Sequence, residues 1–463
     1  MNSTADIMTP TFESIDPATG ETIERYAVHS GREVERRLAA VWSGWLMWRQ
    51  TTMQTRTAFL TRLADLLDAR ADRYAALISK EMGKPLREAI AEIRKCAVTA
   101  RHYATEGEAY LRPQPAKTEA RLSHVQYEPL GPILAVMPWN FPFWQALRFF
   151  IPSVLAGNTA ILKHAENVQG CAVAVEEVVR DAGPGETLLL NVLVDRADIA
   201  ALVADRRIRG VTLTGSPRAG KSVAAAAGAN SKKVVLELGG SDPFIVLADA
   251  DFDKTLPVAI TSRFANAGQS CIAAKRFLVA APIVGRFVEA FAAAAAALKV
   301  GDPFDPATAM GPLAREDLRD GFADQVRRSI AAGARAVTGG KRLNRPGFFY
   351  EPTILTGVGL DSPAAQEEVF GPAAAVIPFA SLDEAVEIAN NTSYGLGASI
   401  WSEDIEAASA LADRIEAGAV FVNALVRSDA RLPFGGIKES GLGRELGELG
   451  AREFTNAKMK WIA

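Results

Sequence analysis

Cysteine and histidine are scarce in this sequence, which has 463 residues but only 3 cysteines and 4 histidines. The cysteines are odd in number and far apart, at Cys96, Cys171 and Cys271. Such a set does not form a disulfide framework and favours a reducing compartment, so we expect a cytoplasmic protein. No Cys-x-x-Cys pair occurs and the histidines are scattered. We therefore expect no metal site, zinc included.

Long hydrophobic runs and a basic excess are also missing. One of the longest apolar stretches covers only residues 290–298, whereas a membrane span needs about 18 or more apolar residues. The first residues contain no basic region followed by an apolar core, so neither a membrane span nor a secretory signal is expected. Lys and Arg total 51, Asp and Glu total 54, and the net charge is −3. Proteins that bind nucleic acid usually have a basic excess, so we expect no nucleic-acid partner.

The composition that is present is that of an ordinary globular protein. Hydrophobic residues make up 49% of the chain and charged residues 23%, which argues against disorder. At about 150 residues per domain, the length predicts roughly three domains.

Short apolar runs alternate with helical segments along the chain. Residues 34–90 contain leucines three and four positions apart, which predicts helices, and residues 121–127 alternate like a strand. Beyond residue 130, short apolar runs are separated by Ala-rich segments with a helical pattern. This alternation predicts crossover units and a parallel sheet. These runs lie at 133–137, 159–162, 187–194, 211–213 and 234–236. A second series, at 244–247, 277–279, 373–378 and 419–422, predicts another doubly wound α/β domain.

One motif matches a phosphate-binding loop. Gly215-Ser-Pro-Arg-Ala-Gly-Lys-Ser222 fits G-x-x-x-x-G-K-[ST] and follows a predicted strand, and a later apolar run ends at Asp249, so a P-loop NTPase is one interpretation. Pro217 argues against it, because proline lacks the backbone N–H that the loop would use. The glycines could instead simply open a helix. We favour a third interpretation, in which the helix N-terminus faces the pyrophosphate of a dinucleotide.

Three further residues are candidates for chemistry. Cys271 follows Gly268-Gln-Ser; it is either a small core residue or a nucleophile at a loop-to-helix junction, where a thiolate is favoured. Glu237 interrupts an apolar run, so it is either held by structural hydrogen bonds or serves as a general base. Asn140 follows a predicted strand end, and its amide either caps an Asx turn or donates to an oxyanion.

Taken together, the motifs resemble the aldehyde dehydrogenase superfamily, and the match covers almost the whole chain in the family order. The segments that carry it are Pro138-Trp-Asn-Phe-Pro142, Leu213-Thr-Gly-Ser216, Leu236-Glu-Leu-Gly-Gly240, Gly268-Gln-Ser-Cys271, Glu367-Glu-Val-Phe-Gly-Pro372 and Pro433-Phe-Gly-Gly-Ile-Lys438. Lys163-His-Ala and Ser428-Asp-Ala-Arg431 are similar to the bacterial succinate-semialdehyde dehydrogenase branch. The resemblance implies two doubly wound α/β domains with a β-arm for oligomerisation.

The resemblance also implies catalytic roles. Cys271 attacks the aldehyde carbon, the Asn140 amide and the Cys271 N–H hold the oxyanion, and Glu237 activates the water that hydrolyses the thioester. A CoA-acylating relative would release the thioester to CoA instead, and the presence of Glu237 argues for hydrolysis. A non-catalytic role is the remaining alternative.

Cofactor residues follow from the same resemblance. Lys163 and Glu166 would hold the adenosine ribose, Gly215 and Ser216 would meet the pyrophosphate, and Glu368 would hold the nicotinamide ribose. Trp139, Leu238 and Phe370 would complete the site. Taken alone, Glu367 and Glu368 read as a solvated acidic pair. A carboxylate at Glu166 repels a 2′-phosphate, so we expect NAD to be preferred and NADP to remain usable.

An acidic substrate needs a cation in its pocket. Arg148 lies two helical turns beyond Asn140, and the resemblance implies that it meets a distal carboxylate beside Ser428. Trp144, Arg427 and Phe434 would complete the pocket. Arg148 could instead be a surface arginine or part of a domain-interface ion pair. Because Ala265 stands where some relatives have a second arginine, a broad-specificity enzyme for neutral or aromatic aldehydes is the alternative to succinate semialdehyde.

The resemblance divides the chain into three parts. Residues 1–110 and 130–239 form the dinucleotide-binding domain, residues 240–439 form the catalytic domain, and residues 111–129 and 440–463 form the oligomerisation element. The C-terminal segment reads as a strand with an exposed edge, which is safest when another subunit covers it. A homodimer or homotetramer is therefore expected.

Overall fold

Two β-sheets, of six and seven strands, organise the fold. The computed structural model describes residues 10–183 and 187–463. Helices cover the faces of both sheets, as in doubly wound α/β proteins. A separate three-stranded sheet forms an arm. The predicted fold class is confirmed.

The N-terminal region is a hairpin followed by four helices. Its elements are β1 (Thr11–Ile15), β2 (Thr22–Ala27), α1 (Gly31–Trp48), α2 (Met53–Ala69), α3 (Ala71–Met82) and α4 (Leu86–Tyr110). The leucines that predicted helix in this region, Leu60, Leu63 and Leu67, are fully buried on one face of α2. Gly83 ends α3 in the left-handed region, at φ 79°, where glycine carries no Cβ penalty.

The six-stranded sheet follows two arm strands, β3 of two residues and β4 of eight. The elements are β3 (Gln114–Pro115), β4 (Leu122–Pro129), β5 (Pro132–Met137), α5 (Pro142–Leu155), β6 (Thr159–His164), α6 (Gln169–Ala182), β7 (Leu189–Asn191), α7 (Ile199–Ala204), β8 (Gly210–Thr214), α8 (Pro217–Ala229) and β9 (Lys233–Glu237). Strands β9, β8, β5, β6 and β7 lie side by side and are parallel. β7 is shorter than the predicted run at 187–194, since it pairs only with Ala160, Ile161 and Leu162.

The seven-stranded sheet belongs to the second α/β region. Its elements are β10 (Asp242–Val246), α9 (Phe252–Phe264), β11 (Ala274–Ala280), α10 (Val284–Ala296), α11 (Glu316–Ala331), β12 (Arg335–Thr338), β13 (Thr353–Thr356), α12 (Pro363–Gln366), β14 (Ala373–Phe379), α13 (Leu382–Asn390), β15 (Tyr394–Gly395), β16 (Gly397–Trp401), α14 (Ile405–Ala412), β17 (Ala419–Val422) and β18 (Ile437–Lys438). The strand order is β12-β13-β14-β11-β10-β16-β17. Both Ala-rich segments are helical, in α8 and α10.

The C-terminal residues return to both the first sheet and the arm. They form β19 (Gly441–Leu442), α15 (Gly447–Glu453) and β20 (Thr455–Ile462). β19 pairs with β9, whereas β20 pairs with β4 along its whole length. Residues 441–442 thus extend the first sheet, and residues 455–462 belong to the arm sheet. Within the described residues, none of the helices is long and apolar enough to span a membrane.

The carboxyl ends of β5, β6, β8 and β9 meet at one edge of the six-stranded sheet. The loops that leave this edge carry Asn140, Glu166 and Ser216, and Glu237 is the last residue of β9. In open α/β sheets, ligands bind at this edge. The fold thus brings the candidate residues of the first domain together.

Candidate active site

Cys271 lies between a tight turn and a strand. Residues Ala265–Gly268 form a short 3₁₀ turn, in which Asn266 and Ala267 have φ of 52° and 53°. After Cys271 the chain enters β11, a central strand paired with β10 and β14. The expectation that Cys271 begins a helix is wrong, because this segment is recruited into the sheet. The Lys275 ammonium instead anchors the loop, donating to the carbonyl of Cys271 at 2.5 Å.

The surroundings of the Cys271 thiol favour its protonated form. Burial raises its pKa to about 11, while the charges of Arg148 and Lys275 act in the opposite direction. Ionisation is favoured when further positive charge or a base approaches the sulfur.

Asn140 is bound to the turn that carries the thiol. Its side-chain Nδ2 donates to the Gln269 carbonyl at 3.1 Å, and its own carbonyl accepts from Asn266 Nδ2 and Lys84 Nζ, each at 2.9 Å. These contacts reach across the chain rather than forming an Asx turn. One amide N–H of Asn140 is left for an oxyanion, as an acyl-transfer site requires.

Glu237 is buried without a hydrogen-bond partner. Neither carboxyl oxygen has one among the described residues. Burial raises its pKa well above the ordinary value and nearby Glu445 adds to the effect, while Arg148 lowers it. The alternative of structural hydrogen bonding is not observed. Gly435 leaves room beside this carboxyl group, because a Cβ there would lie 2.8 Å from Glu237 Oε1.

Arg148 is buried and forms an ion pair with Glu445. Its guanidinium lies 4.9 Å from the centroid of the Phe434 ring, and Nη2 is 3.5 Å from Thr214 Oγ1. An ion pair was one of the alternative roles considered for Arg148 from the sequence, and such a pair is present. Arg148 nevertheless lines the cavity that contains Cys271, with much of its charge balanced by Glu445.

A cavity of about 200 Å³ joins the nucleophile to four predicted substrate residues, namely Trp144, Arg148, Ser428 and Phe434. Arg427 is exposed and does not line this cavity. Lys95, on α4, was not predicted from the sequence, and it also lines the cavity. Lys95 Nζ donates to Ser428 Oγ at 2.7 Å and lies 4.3 Å from the Trp144 ring centroid. Helical spacing in α4 gave no sign of this role.

At the end of the site that is predicted to bind adenosine, a carboxylate lies between two cations. Glu166 Oε1 accepts from Lys163 Nζ at 2.7 Å, and Glu166 Oε2 accepts from Arg196 Nη2 at 3.2 Å. Partial burial opposes ionisation, but Lys163 and Arg196 outweigh it and lower the pKa of Glu166 to about 2. Arg196 was not predicted from the sequence, and it adds a second positive charge to this end of the site.

The helix after β8 does not form a P-loop. Ser216 is the N-cap of α8 and accepts from the Ala219 N–H at 3.3 Å, so the helix begins at Pro217. Lys221 points to the surface and pairs with Glu439 at 2.6 Å. Asp249 follows β10 in the other sheet, where it accepts from Ser402 Oγ. The NTPase interpretation is therefore wrong, because the motif lacks both its loop and its partner strand.

The helix N-terminus is open to a ligand on its Gly215 side. A Cβ at Gly215 would meet only Leu213, at 3.5 Å, so a phosphate group can approach the backbone. Leu238 is buried against Gly220 of α8. With the Lys163–Glu166 pair at the carboxyl end of β6, two strands away from β8, these residues fit a dinucleotide lying across the sheet edge.

At the nicotinamide end, the two glutamates differ. Glu367 pairs with Arg328 at 2.7 Å on the surface, whereas Glu368 turns inward and accepts from the Gly240 N–H at 3.0 Å. Burial raises the pKa of Glu368 even though Lys275 is nearby. The rings of Trp139 and Phe370 meet edge to face, with their centroids 5.9 Å apart.

Known proteins resemble this chain over nearly its whole length. The model of the aldehyde dehydrogenase family matches residues 5–460. A probable succinate-semialdehyde dehydrogenase [NADP(+)] of Synechocystis is 48% identical, over 97% of this chain and 99% of the relative. Succinate-semialdehyde dehydrogenase [NADP(+)] 1 of Mycobacterium tuberculosis is 49% identical over the same shares. The crystal structure of succinic semialdehyde dehydrogenase from Streptococcus pyogenes with NADP+ superimposes with a TM-score of 0.95 at 38% identity, covering 97% of this chain and 99% of that one.

Proposed function

The chain belongs to the aldehyde dehydrogenase family, and we propose that it oxidises succinate semialdehyde to succinate with NAD or NADP. One observation carries the substrate assignment: the Cys271 thiol shares its cavity with cationic and hydroxyl groups, those of Arg148, Lys95 and Ser428. A carboxylate-bearing aldehyde of four carbons suits a small cavity with this lining. The names of the relatives support the same substrate.

The reaction has two halves, acylation and hydrolysis, and the site residues act in both. In the first, the Cys271 sulfur bonds to the aldehyde carbon, and the free Asn140 N–H together with the Cys271 N–H hold the oxygen that becomes negative. The nicotinamide, when bound, supplies the acceptor for the hydride that leaves this carbon. The thioester formed on Cys271 is then cleaved by water, which yields the acid and restores the thiol.

Glu237 supports hydrolysis rather than transfer to CoA. Its carboxyl group is buried and unpartnered among the described residues, so it has hydrogen-bonding capacity left for a water molecule. A raised pKa brings a carboxylate closer to the basicity that a general base needs. CoA transfer needs no such group.

The choice between NAD and NADP rests on Glu166. The expected preference for NAD is not supported by the relatives, whose names specify NADP(+). Lys163 and Arg196 both contact the carboxylate, so a local excess of positive charge surrounds it. A 2′-phosphate could take the place of Glu166 beside these two cations. We propose that NADP is accepted as well as NAD, with Glu166 opposing it.

We further propose a cytoplasmic homodimer or homotetramer that uses the arm sheet as a contact, with no nucleic-acid partner. The exposed Met459 and Trp461 of β20 support such a contact. These residues lie on an edge strand, and natural proteins usually cover such edges.

An assay of the purified protein tests the function. NAD and NADP are each combined with succinate semialdehyde, butanal and benzaldehyde, and the absorbance of the reduced nicotinamide is followed. We expect the highest kcat/KM with succinate semialdehyde and turnover with both cofactors. Cys271→Ala should abolish all activity.

Other outcomes would change the proposal in different ways. A preference for butanal or benzaldehyde would keep the mechanism and assign a broad-specificity enzyme. Turnover retained by Cys271→Ala would remove the covalent mechanism. Activity confined to NAD would make Glu166 a strict filter against the 2′-phosphate.

A further inference from the structure

Lys95 is the cation of the cavity without a carboxylate partner among the described residues. It reaches the cavity from α4 and is partly buried, and its polar contact is the neutral Ser428 hydroxyl, at 2.7 Å. The ring of Trp144 covers another side of the ammonium. Removing a charge even partly from water is costly when no counterion accompanies it, so the site is suited to an anion that arrives with the ligand.

The other charged groups around the cavity already have partners. Arg148 pairs with Glu445. Glu92 is bound by Lys84 and accepts from the backbone N–H groups of Phe143 and Trp144, at 2.9 and 3.0 Å. Glu88 accepts from the Asn266 N–H at 2.8 Å. Lys95 therefore supplies the positive charge that is free to bind an anion.

We propose that Lys95, rather than Arg148 alone, binds the distal carboxylate of the substrate and sets the preference for acidic aldehydes. This inference rests on the proposed function and adds a residue to its substrate site. Ser428 Oγ accepts from Lys95, which leaves its own O–H to donate to the same carboxylate. Lys95 and Ser428 thus form a two-point clamp in the cavity that Cys271 also lines, and Arg148 lines the same cavity.

The electrostatics of Lys95 fit this role. Burial and the neighbouring Arg148 charge together lower its pKa to about 8, while Cys96, Glu92 and Asp429 oppose the shift. Arg148 approaches from α5, Glu92 and Cys96 lie on α4 itself, and Asp429, bound to Arg431, lies in the loop beside Ser428. A bound carboxylate favours the protonated amine. Substrate affinity should therefore be full below pH 8 and fall above it.

Two variants and a matched control test the clamp. Lys95→Met removes the charge, Lys95→Arg keeps it, and Arg94→Met removes the exposed charge next to it in sequence. Succinate semialdehyde is compared with butanal, which has the same carbon chain but no carboxylate. We expect Lys95→Met to raise KM for succinate semialdehyde about 10- to 100-fold, the scale of a hydrogen bond to a charged group. The kcat, the KM for butanal and both parameters of Arg94→Met should change little.

An equal KM increase for both aldehydes would overturn the inference and make Lys95 structural. An unchanged KM for succinate semialdehyde would do the same and leave the carboxylate to Arg148. Wild-type enzyme that fails to favour succinate semialdehyde over butanal would refute the proposed substrate itself, whatever the variants do.

Succinate binding gives a readout that needs no turnover. By calorimetry, wild-type protein should bind succinate more weakly at pH 9 than at pH 7, with proton uptake near pH 8. Lys95→Met should bind weakly at both pH values, and Lys95→Arg should bind with little pH dependence. A wild-type affinity that does not change across pH 8 would contradict the role of Lys95.

Discussion

Glu237 is the residue whose surroundings make the sharpest prediction. Gln is nearly isosteric with Glu but cannot accept a proton, so Glu237→Gln should acylate and then stall. We expect one equivalent of reduced cofactor per active site in a rapid burst, followed by steady turnover slowed about 10²- to 10⁴-fold, the range of general-base catalysis. Stopped-flow absorbance separates the two phases.

The surface variant Glu439→Gln controls for loss of a carboxylate elsewhere, because Glu439 pairs with the exposed Lys221. It should show wild-type kinetics. If Glu237→Gln has a normal steady rate, another group activates the water. A lost burst would place Glu237 before acylation instead.

Residues in contiguous motifs could be predicted, and residues acting through distant contacts could not. Asn140, Glu237, Ser428 and Cys271 each stand in a short recognisable segment. Glu445 meets Arg148 only because the C-terminal chain folds back beside α5, and no spacing in the sequence encodes that pairing. The role of Lys95 could not be predicted for the same reason.

At the scale of elements, α8 links the sheet to the predicted cofactor site through one close contact. A Cβ at Gly220 would lie 2.6 Å from the Leu238 side chain, whereas a Cβ at Gly228 of the same helix would meet no atom within 4 Å. Gly220→Val should overpack this contact, cost about 1–3 kcal/mol, lower the melting temperature and raise KM for the cofactor.

Gly228→Val makes the same substitution near the other end of α8, where the added methyl groups have space. Its effect should stay within about 0.5 kcal/mol, as for most surface substitutions. Scanning fluorimetry and cofactor titration compare the two variants. Equal melting temperatures and cofactor KM values would mean that the helix shifts freely and that the contact does not position Leu238.

Elements with short, continuous apolar runs were the most predictable. β5, β6, β8 and β9 match their predicted runs to within two residues at each end, since parallel strands buried on both faces favour such runs. β12 is exposed and antiparallel at the sheet edge, so its sequence carries no such pattern. The segment after Cys271 was wrongly predicted to be helical because its strand pairing comes from distant residues.

At the scale of the whole molecule, the site is assembled from three parts of the chain. Arg148 comes from α5 beside the first sheet, Cys271 precedes a strand of the second, and Glu445 lies in the C-terminal segment. The ion pair of Arg148 with Glu445 joins the first and third of these parts, and Arg148 and Cys271 line the same cavity. The geometry of the cavity thus depends on packing between all three parts of the chain.

The arm makes a prediction about assembly. Met459 and Trp461 of β20 are 75% and 45% exposed and lie on one face, since they are two residues apart on a strand. The double substitution Met459→Glu and Trp461→Glu should disfavour burial of this face between subunits and shift the protein toward the 49.4 kDa monomer. Lys460→Glu, on the opposite face, changes charge without touching the patch and should leave the assembly intact.

Light scattering coupled to size exclusion measures each mass. Wild-type protein that elutes as a monomer would refute the proposed oligomer, whereas a double variant with wild-type mass would move the contact away from this face of the arm.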